Sequence, residues 1–295
     1  MRSLNAVCFF VALSIHCGCG AALVAQDAKA VETRPGNFLS VPGSTIYYQE
    51  CGSAPQAVVL LHDGVLDSTV WDDVWPELCK KFHVVRYDRR GYGRSPASSE
   101  GYWETDDLAA LLRRLKIARG TIVGSSHGGE ISIDFALAHP EMVQQLVLVG
   151  AVVSGMPYSA HFLERGDELG KPLQKGDIPG AIAAAQNDKY LIAPGNDTAK
   201  KRMAAILTAS PQDLTHPSKE LSPKPALPRL AEIRVPTLLL VGDADIPDVH
   251  AHAGAIEAGI PRARRVVISG VGHLMCLEKP KEFSETLIHF IEQNP

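Results

Sequence analysis

The chain has 295 residues and a formal net charge of −4, with 45% apolar and 21% charged residues. This composition is typical of a globular protein, and the length suits one large α/β domain or two small ones. A chain of this size can bury a substantial core. The weak negative charge gives no reason to expect nucleic acid or an anionic membrane surface as a partner.

Residues 1–25 have the pattern of a secretory signal peptide. Arg2 precedes an apolar run over residues 4–15, and small residues continue to Ala25, which is the order that such signals share. The run is too short and too interrupted for a transmembrane helix. We expect cleavage after Ala25 and export to the periplasm or the extracellular space. A misassigned start of the chain and a lipid anchor on a leader cysteine are the alternatives.

Three cysteines remain beyond this leader, namely Cys51, Cys79 and Cys276. An odd number of cysteines cannot all pair, and their spacing does not match a metal site. Two interpretations stay open, one disulfide or three small buried side chains. We prefer the second, because a free cysteine behaves as a small apolar residue.

Strand and helix patterns alternate along the rest of the chain. Residues 26–37 are polar and predict a linker, and residues 38–50 predict a hairpin around a Pro-Gly-Ser turn. Short apolar runs predict buried strands at residues 57–61, 84–85, 121–123, 146–149, 237–241 and 265–268. Helical patterns occupy residues 71–81, 103–115 and 129–138, and a last helix follows Pro280. The alternation predicts an α/β fold with a doubly wound, mostly parallel sheet covered on both faces.

Residues 154–228 interrupt this alternation. They include a helical stretch at residues 181–186 and three prolines near their end, but no strand pattern. We interpret them as a small helical cap inserted between two strands. Residues 38–153 and 229–295 then form the core domain.

A nucleophile elbow is the strongest local signal in the chain. The sequence Gly-Ser-Ser-His-Gly at residues 124–128 follows a predicted strand and precedes a predicted helix, the context in which a G-x-S-x-G motif presents a nucleophile. The two glycines permit the close backbone approach that this sharp turn needs. Ser126 is therefore the predicted nucleophile, although a Gly/Ser turn without chemistry has the same letters.

A serine is a poor nucleophile at neutral pH and needs a base. His273 lies in a glycine-rich loop between the last predicted strand and the last helix. The base in turn needs an acid that fixes its tautomer, and Asp245 follows the strand at residues 237–241. We expect the nearer Asp243 to brace the loop instead. The order Ser, Asp, His is the order in which G-x-S-x-G hydrolases carry these groups.

Four motifs together make residues 38–295 resemble the α/β-hydrolase superfamily. The resemblance is to its capped branch, which includes esterases, lactonases, C–C bond hydrolases and cofactor-free haloperoxidases. The motifs are the segment at residues 60–64 with Trp71, the loop at residues 88–95, the elbow around Ser126, and Asp245 with Gly272, His273 and residues 278–280.

The resemblance implies an oxyanion hole made by the backbone amides of Gly64 and His127. It also implies that His62 braces the oxyanion loop and that no metal or organic cofactor is needed. The family usually has glycine where this chain has Asp63. A carboxylate beside an oxyanion would raise the barrier, so we expect Asp63 to point away and to bond backbone. If it points inward, strong esterase activity is in doubt.

The function implied is hydrolysis of a carboxylic ester or lactone through an acyl-enzyme on Ser126. The partner is then a small-molecule substrate, with no nucleic acid and no membrane after signal cleavage. A C–C bond hydrolase of ring-cleavage products and a cofactor-free perhydrolase or haloperoxidase would use the same triad. A non-catalytic binding protein on this fold is the alternative of another class, but such proteins usually lose a triad residue. Tyr158, His161 and Phe162 could line a pocket or lie on the surface.

Overall fold

A computed structural model describes residues 35–294 of the chain. The predicted signal peptide at residues 1–25 and most of the predicted linker lie outside the described residues. Asn37 already belongs to the first strand, so the linker prediction of residues 26–37 extends one residue too far.

Eight strands form a single sheet in the order β1-β2-β4-β3-β5-β6-β7-β8. The first two strands pair antiparallel as the predicted hairpin, β2 pairs antiparallel with β4, and all other neighbours are parallel. The mostly parallel sheet is therefore confirmed. The strands are β1 Asn37–Val41, β2 Ser44–Cys51, β3 Ala57–Leu61, β4 His83–Tyr87, β5 Gly120–Ser125, β6 Val143–Val149, β7 Thr237–Gly242 and β8 Ala263–Ile268.

Helices cover both faces of the sheet, as the alternating pattern predicts. Helices α2, α3 and α7 contribute to one apolar core, and α1, α8 and α9 contribute to the other. The strands β3, β5 and β7 between these cores are fully buried. The helices are α1 Trp75–Cys79, α2 Glu104–Arg114, α3 His127–Ala138, α4 Ala160–Gln174, α5 Ile178–Asn187, α6 Asp197–Ala209, α7 Pro247–Gly259, α8 Met275–Glu278 and α9 Pro280–Gln293.

The helix predicted over residues 71–81 is divided in the structure. A 3₁₀ turn spans Ser68–Trp71, and α1 begins only at Trp75. Asp67 caps the turn by accepting a hydrogen bond from the Thr69 amide. Pro76 lies in the first turn of α1, where its missing amide N–H removes no helical hydrogen bond. The proline thus marks a helix start within the predicted segment.

Residues 154–228 hold three helices, α4 to α6, between β6 and β7. Helix α4 has no buried side chain. Added Cβ atoms at Gly166 and Gly170 would meet nothing within 4 Å. This helix is thus loosely packed on its outer side. Within the described part of the chain, no helix is both long and apolar enough to cross a membrane.

Cys51 and Cys79 form a disulfide between the end of β2 and the end of α1, with their Cα atoms 5.4 Å apart. The preference for three unpaired cysteines is therefore wrong, while Cys276 is free and buried as expected. The 28-residue separation gives no local sign of the bond. The two segments approach closely beside Gly52, where a Cβ would lie 2.0 Å from the Phe82 carbonyl oxygen.

Candidate active site

Ser126 occupies a strained turn between β5 and α3. Its φ is 53° and its ψ is −117°, a conformation that costs a non-glycine residue about 1–3 kcal/mol. A Cβ at Gly124 would lie 2.1 Å from the Gly128 carbonyl oxygen, and one at Gly128 would lie 2.4 Å from the His62 carbonyl oxygen. The two motif glycines are therefore required by backbone contact on both sides of the turn.

His273 and Asp245 form a close pair beside this turn. The Nδ1 atom of His273 lies 2.8 Å from Asp245 Oδ2, and the Asp245 side chain is completely buried. The other carboxylate oxygen, Oδ1, accepts the backbone N–H of Ile246 at 2.7 Å. Both oxygens of Asp245 thus have a fixed partner.

Asp243 has a different role from Asp245. Its carboxylate accepts the Ser269 hydroxyl at 2.8 Å and the Gly270 amide at 2.6 Å. These contacts join the loop after β7 to the loop after β8. Asp243 braces the loops, as the sequence predicts, and does not contact the His273 ring.

Burial disfavours the charged form of His273, but neighbouring carboxylates more than offset this. The Asp245 contact and the charge of Asp63 favour the protonated ring, whereas the nearby Arg165 opposes it. The pKa of His273 is therefore raised above its ordinary value. A raised pKa strengthens the imidazole as a proton acceptor when a serine attacks.

Ser126, Asp245 and His273 all line one cavity of about 220 Å³. Most of the remaining wall is apolar, and residues 154–228 supply part of it. Tyr158 and Phe162 both line the pocket. Their rings stack on each other, with centroids 4.3 Å apart. The other lining residues are Asp63, Val65, His127, Glu130, Val152, Arg165, Leu191, Met203, Ile246, Val249 and Leu274.

His161, the third aromatic side chain considered for the pocket, lies elsewhere. Its Nε2 atom is 3.1 Å from the Tyr190 hydroxyl oxygen, and this contact is exposed. It therefore joins α4 to the segment that follows α5, on the outer side of residues 154–228.

Gly64 and His127 lie next to each other beside the turn that holds Ser126. A Cβ at Gly64 would be 3.5 Å from the Cβ of His127. His127 is the first residue of α3, and the first amides of a helix have no acceptor within the helix. The structure thus brings together the two residues predicted to form an oxyanion hole.

His62 holds the loop between β3 and these residues. Its Nε2 accepts the Arg89 amide N–H at 2.9 Å, so its Nδ1 carries the proton and donates to the Asp63 carbonyl oxygen at 2.8 Å. Burial lowers the pKa of His62 well below its ordinary value. A neutral ring with a hydrogen bond at each nitrogen fits the bracing role that the resemblance implies.

Asp63 only partly follows the expectation that it points away from the site. Its Oδ1 accepts the amides of Val65 and Leu66 at 2.7 and 2.9 Å, which is the expected backbone bonding. However, the residue lines the cavity, and its buried Oδ2 has no hydrogen-bond partner among the described residues. Burial raises the pKa of Asp63. The carboxyl group therefore borders the site instead of facing away from it.

A short segment after α5, residues 188–193, lies directly against the loop that carries His273. The backbone amides of His273 and Leu274 donate to the carbonyl oxygens of Tyr190 and Leu191 at 2.8 and 3.0 Å. Glu278 accepts the amides of Gly272 at 2.6 Å and Ala193 at 2.9 Å. We refer to residues 188–193 as the strap, because they tie the inserted helices to the histidine loop.

Several side chains at the site are absent from the sequence prediction. Arg165 makes a two-point contact with Asp188, at 2.6 and 2.9 Å. Glu130 and Glu220 contact the two ring nitrogens of His127. The three-residue helical spacing of His127 and Glu130 could have suggested their contact. Glu220 is distant in sequence and gives no such signal. Within residues 35–294, no group of three or more ligating side chains is arranged to hold a metal ion.

Comparison with known proteins places the chain among hydrolases. The family model described as alpha/beta hydrolase fold matches residues 56–280. A 2-hydroxy-6-oxononadienedioate/2-hydroxy-6-oxononatrienedioate hydrolase of Paraburkholderia xenovorans is 27% identical over 264 residues, which cover 83% of this chain and 90% of that protein.

Two solved structures have the same fold. An esterase, EaEST, from Exiguobacterium antarcticum has a TM-score of 0.76 and 26% identity, covering 88% of this chain and 100% of the other. Est816, described as an N-acyl homoserine lactone degrading enzyme, has a TM-score of 0.70 and 27% identity, covering 86% and 100%. The family match spans most of the chain, and the chain belongs to the alpha/beta hydrolase fold family of enzymes.

Proposed function

We propose that this enzyme is a serine hydrolase that cleaves a carboxylic ester or a lactone. The observation that carries the proposal is the contact at 2.8 Å between the buried Asp245 and the partly buried His273, which line the same cavity as Ser126 on its strained turn. A nucleophile, a base and an acid that orients the base are the groups that a Ser-His-Asp triad uses for acyl transfer.

The chemistry follows from the placement of these groups. His273 takes the proton of the Ser126 hydroxyl as its oxygen attacks the carbonyl carbon, and the amides of Gly64 and His127 stabilise the oxyanion. The protonated His273 then gives its proton to the leaving alkoxide, which leaves an acyl-enzyme. A water molecule, deprotonated by His273, attacks the acyl carbon. His273 then returns that proton to Ser126 Oγ as the bond between this oxygen and the acyl carbon breaks, which releases the acid and free Ser126.

The substrate class is supported by the pocket and by the comparisons. The cavity is small, and its wall is mainly apolar apart from the triad and a few charged groups, which suits an uncharged ester or lactone. The similarity to EaEST and Est816 favours ester and lactone bonds. The similarity to the oxononadienedioate hydrolase favours, as a second candidate, cleavage of a C–C bond in a ring-cleavage product.

The proposal is tested by a hydrolysis screen of short- and long-chain esters, lactones and vinylogous diketones, with a fluorophosphonate probe in parallel. The Ser126→Ala variant should lose several orders of magnitude in turnover, because triad residues act as a unit. The matched control is Ser125→Ala, at the neighbouring buried serine. Probe labelling that persists in Ser126→Ala, or turnover that survives, would refute the nucleophile. Preference for diketones would select the second candidate.

We also propose that the enzyme is exported. The proposal is supported by the charge, apolar run and small residues of positions 1–25. When the full sequence is expressed, the mature protein should be found outside the cytoplasm, with Gln26 as its first residue. A cytoplasmic product that retains Met1 would contradict it.

A further inference from the structure

Both ring nitrogens of His127, the residue after the nucleophile, face carboxylates. Nδ1 lies 3.2 Å from Glu130 Oε2, and Nε2 lies 3.0 Å from Glu220 Oε2. A neutral imidazole has one N–H and could donate to only one of them. Both contacts are hydrogen bonds only if the ring carries both protons. The geometry therefore favours an imidazolium beside Ser126.

The charges around the His127 ring also favour its protonated form. Burial and Arg89 disfavour the charged ring, but the hydrogen bonds to Glu130 and Glu220 raise the pKa of His127 to about 9. The ring is thus charged throughout the neutral range. The other titratable groups that interact with it are His62 and Glu104 from neighbouring elements and Asp134 from α3 itself.

Helix stability alone does not explain a cation at this position. His127 is the first residue of α3, and the N-terminus of a helix carries a partial positive charge that disfavours a cation. The imidazolium is therefore locally unfavourable without its two carboxylates. A position that conflicts with local preference and is compensated by distant residues is typical of a functional site.

The two carboxylates come from different parts of the molecule. Glu130 belongs to α3, whereas Glu220 lies in the extended segment that ends the insertion. This segment pairs with the core, since the Leu221 amide donates to the Tyr102 carbonyl oxygen at 2.8 Å. The His127 ring is thus held between its own helix and the end of residues 154–228.

We propose that Glu220 is a positioning residue for the oxyanion hole. By holding the charged ring of His127, it fixes the conformation of that residue and so the direction of the amide N–H that faces the oxyanion. This inference rests on the proposed serine mechanism. Oxyanion donors act only in a narrow geometry, and small displacements of catalytic groups can cost about 100-fold in rate.

The test compares Glu220→Gln with the wild-type enzyme. The matched control is Glu168→Gln, which changes an exposed carboxylate of α4 that pairs with Lys171. Two readouts are needed, the NMR titration of the His127 ring and the pH profile of kcat. Glu130→Gln removes the other carboxylate and serves as the second variant if Glu220→Gln does not fold.

In the wild type, the His127 ring should titrate near pH 9, and kcat should fall as the ring loses its proton. Glu220→Gln should lower the titration midpoint, shift the alkaline loss of kcat to lower pH by the same amount, and reduce kcat about tenfold with little change in KM. Glu168→Gln should match the wild type in both readouts.

Two results would overturn the inference. An unchanged titration midpoint in Glu220→Gln would show that Glu220 does not hold the ring. A shifted midpoint with unchanged kcat and pH profile would show that the contact is structural only. Failure of the serine mechanism is seen separately, because the titration uses the resting enzyme and the nucleophile is tested by Ser126→Ala.

Discussion

Replacing Asp245 by asparagine should change the tautomer of His273 while leaving the fold intact. The backbone N–H of Ile246 donates to Asp245 Oδ1, so the asparagine must keep its carbonyl oxygen at that position. Its amide nitrogen then replaces Oδ2 and presents an N–H to Nδ1 of His273. The ring must accept with Nδ1 and carry its proton on Nε2. The nitrogen needed to accept the Ser126 proton is then blocked.

The equivalent change in a serine protease lowers turnover about 10⁴-fold. By analogy, Asp245→Asn should lower kcat by about the same factor, which is about 5 kcal/mol of transition-state stabilisation. The assay is kcat on the best ester from the screen, together with the melting temperature. A loss of more than a few degrees in melting would show that the side chain acts on stability instead.

The matched control is Asp243→Asn. Its carboxylate accepts from the Ser269 hydroxyl and the Gly270 amide, and an asparagine can keep the second bond and donate to Ser269 Oγ. Its kcat should stay within a few-fold of the wild type. If Asp243→Asn abolishes activity at an unchanged melting temperature while Asp245→Asn remains active, the assignment of the acid is wrong.

Two further predictions concern stability. Gly124→Ala should destabilise the fold by about 1–3 kcal/mol or more, because its Cβ would meet backbone at 2.1 Å. Gly170→Ala, in open space within α4, should stabilise the fold by about 0.5–1 kcal/mol. Urea midpoints equal to that of the wild type would contradict both expectations. Asp213→Asn should flatten the pH dependence of melting. Burial and nearby carboxylates raise the pKa of Asp213 from 3.8 to about 8. Between these two values the folded wild type keeps a proton that the unfolded chain has lost, so its stability falls as pH rises. An equal fall in melting temperature in Asp213→Asn would refute this explanation.

The sequence predicts well the features that depend on short-range pattern. Apolar runs bounded by turns predict the buried strands, and their alternation with helices predicts the parallel sheet. The turn that holds Ser126 is predicted because its G-x-S-x-G motif follows a predicted strand and precedes a predicted helix. The proximity of Asp245 and His273 is predicted because each lies in a loop that follows a parallel strand, and the carboxyl ends of such strands meet at one edge of the sheet.

Contacts between distant segments are not predicted by any local pattern. Glu220 reaches His127 across 93 positions, and the Cys51–Cys79 bond depends on how β2 and α1 pack. Asp63 shows a different limit, because its backbone bonding could be anticipated but its place in the cavity wall, with a buried second oxygen left without a hydrogen-bond partner among the described residues, could not. Such features depend on tertiary packing, which cannot be predicted from residue type and local spacing alone.

The strap has a consequence for attempts to change the substrate preference of the enzyme by exchanging its inserted helices. The strap and the loop that carries His273 share backbone hydrogen bonds. The two segments are also in close contact at Gly272, since a Cβ there would lie 2.5 Å from the Tyr190 carbonyl oxygen. We therefore expect that a graft of the helices of a relative without a compatible strap displaces His273 as well as altering the pocket. Such a graft should carry residues 188–193 and a matching Glu278 together with the inserted helices.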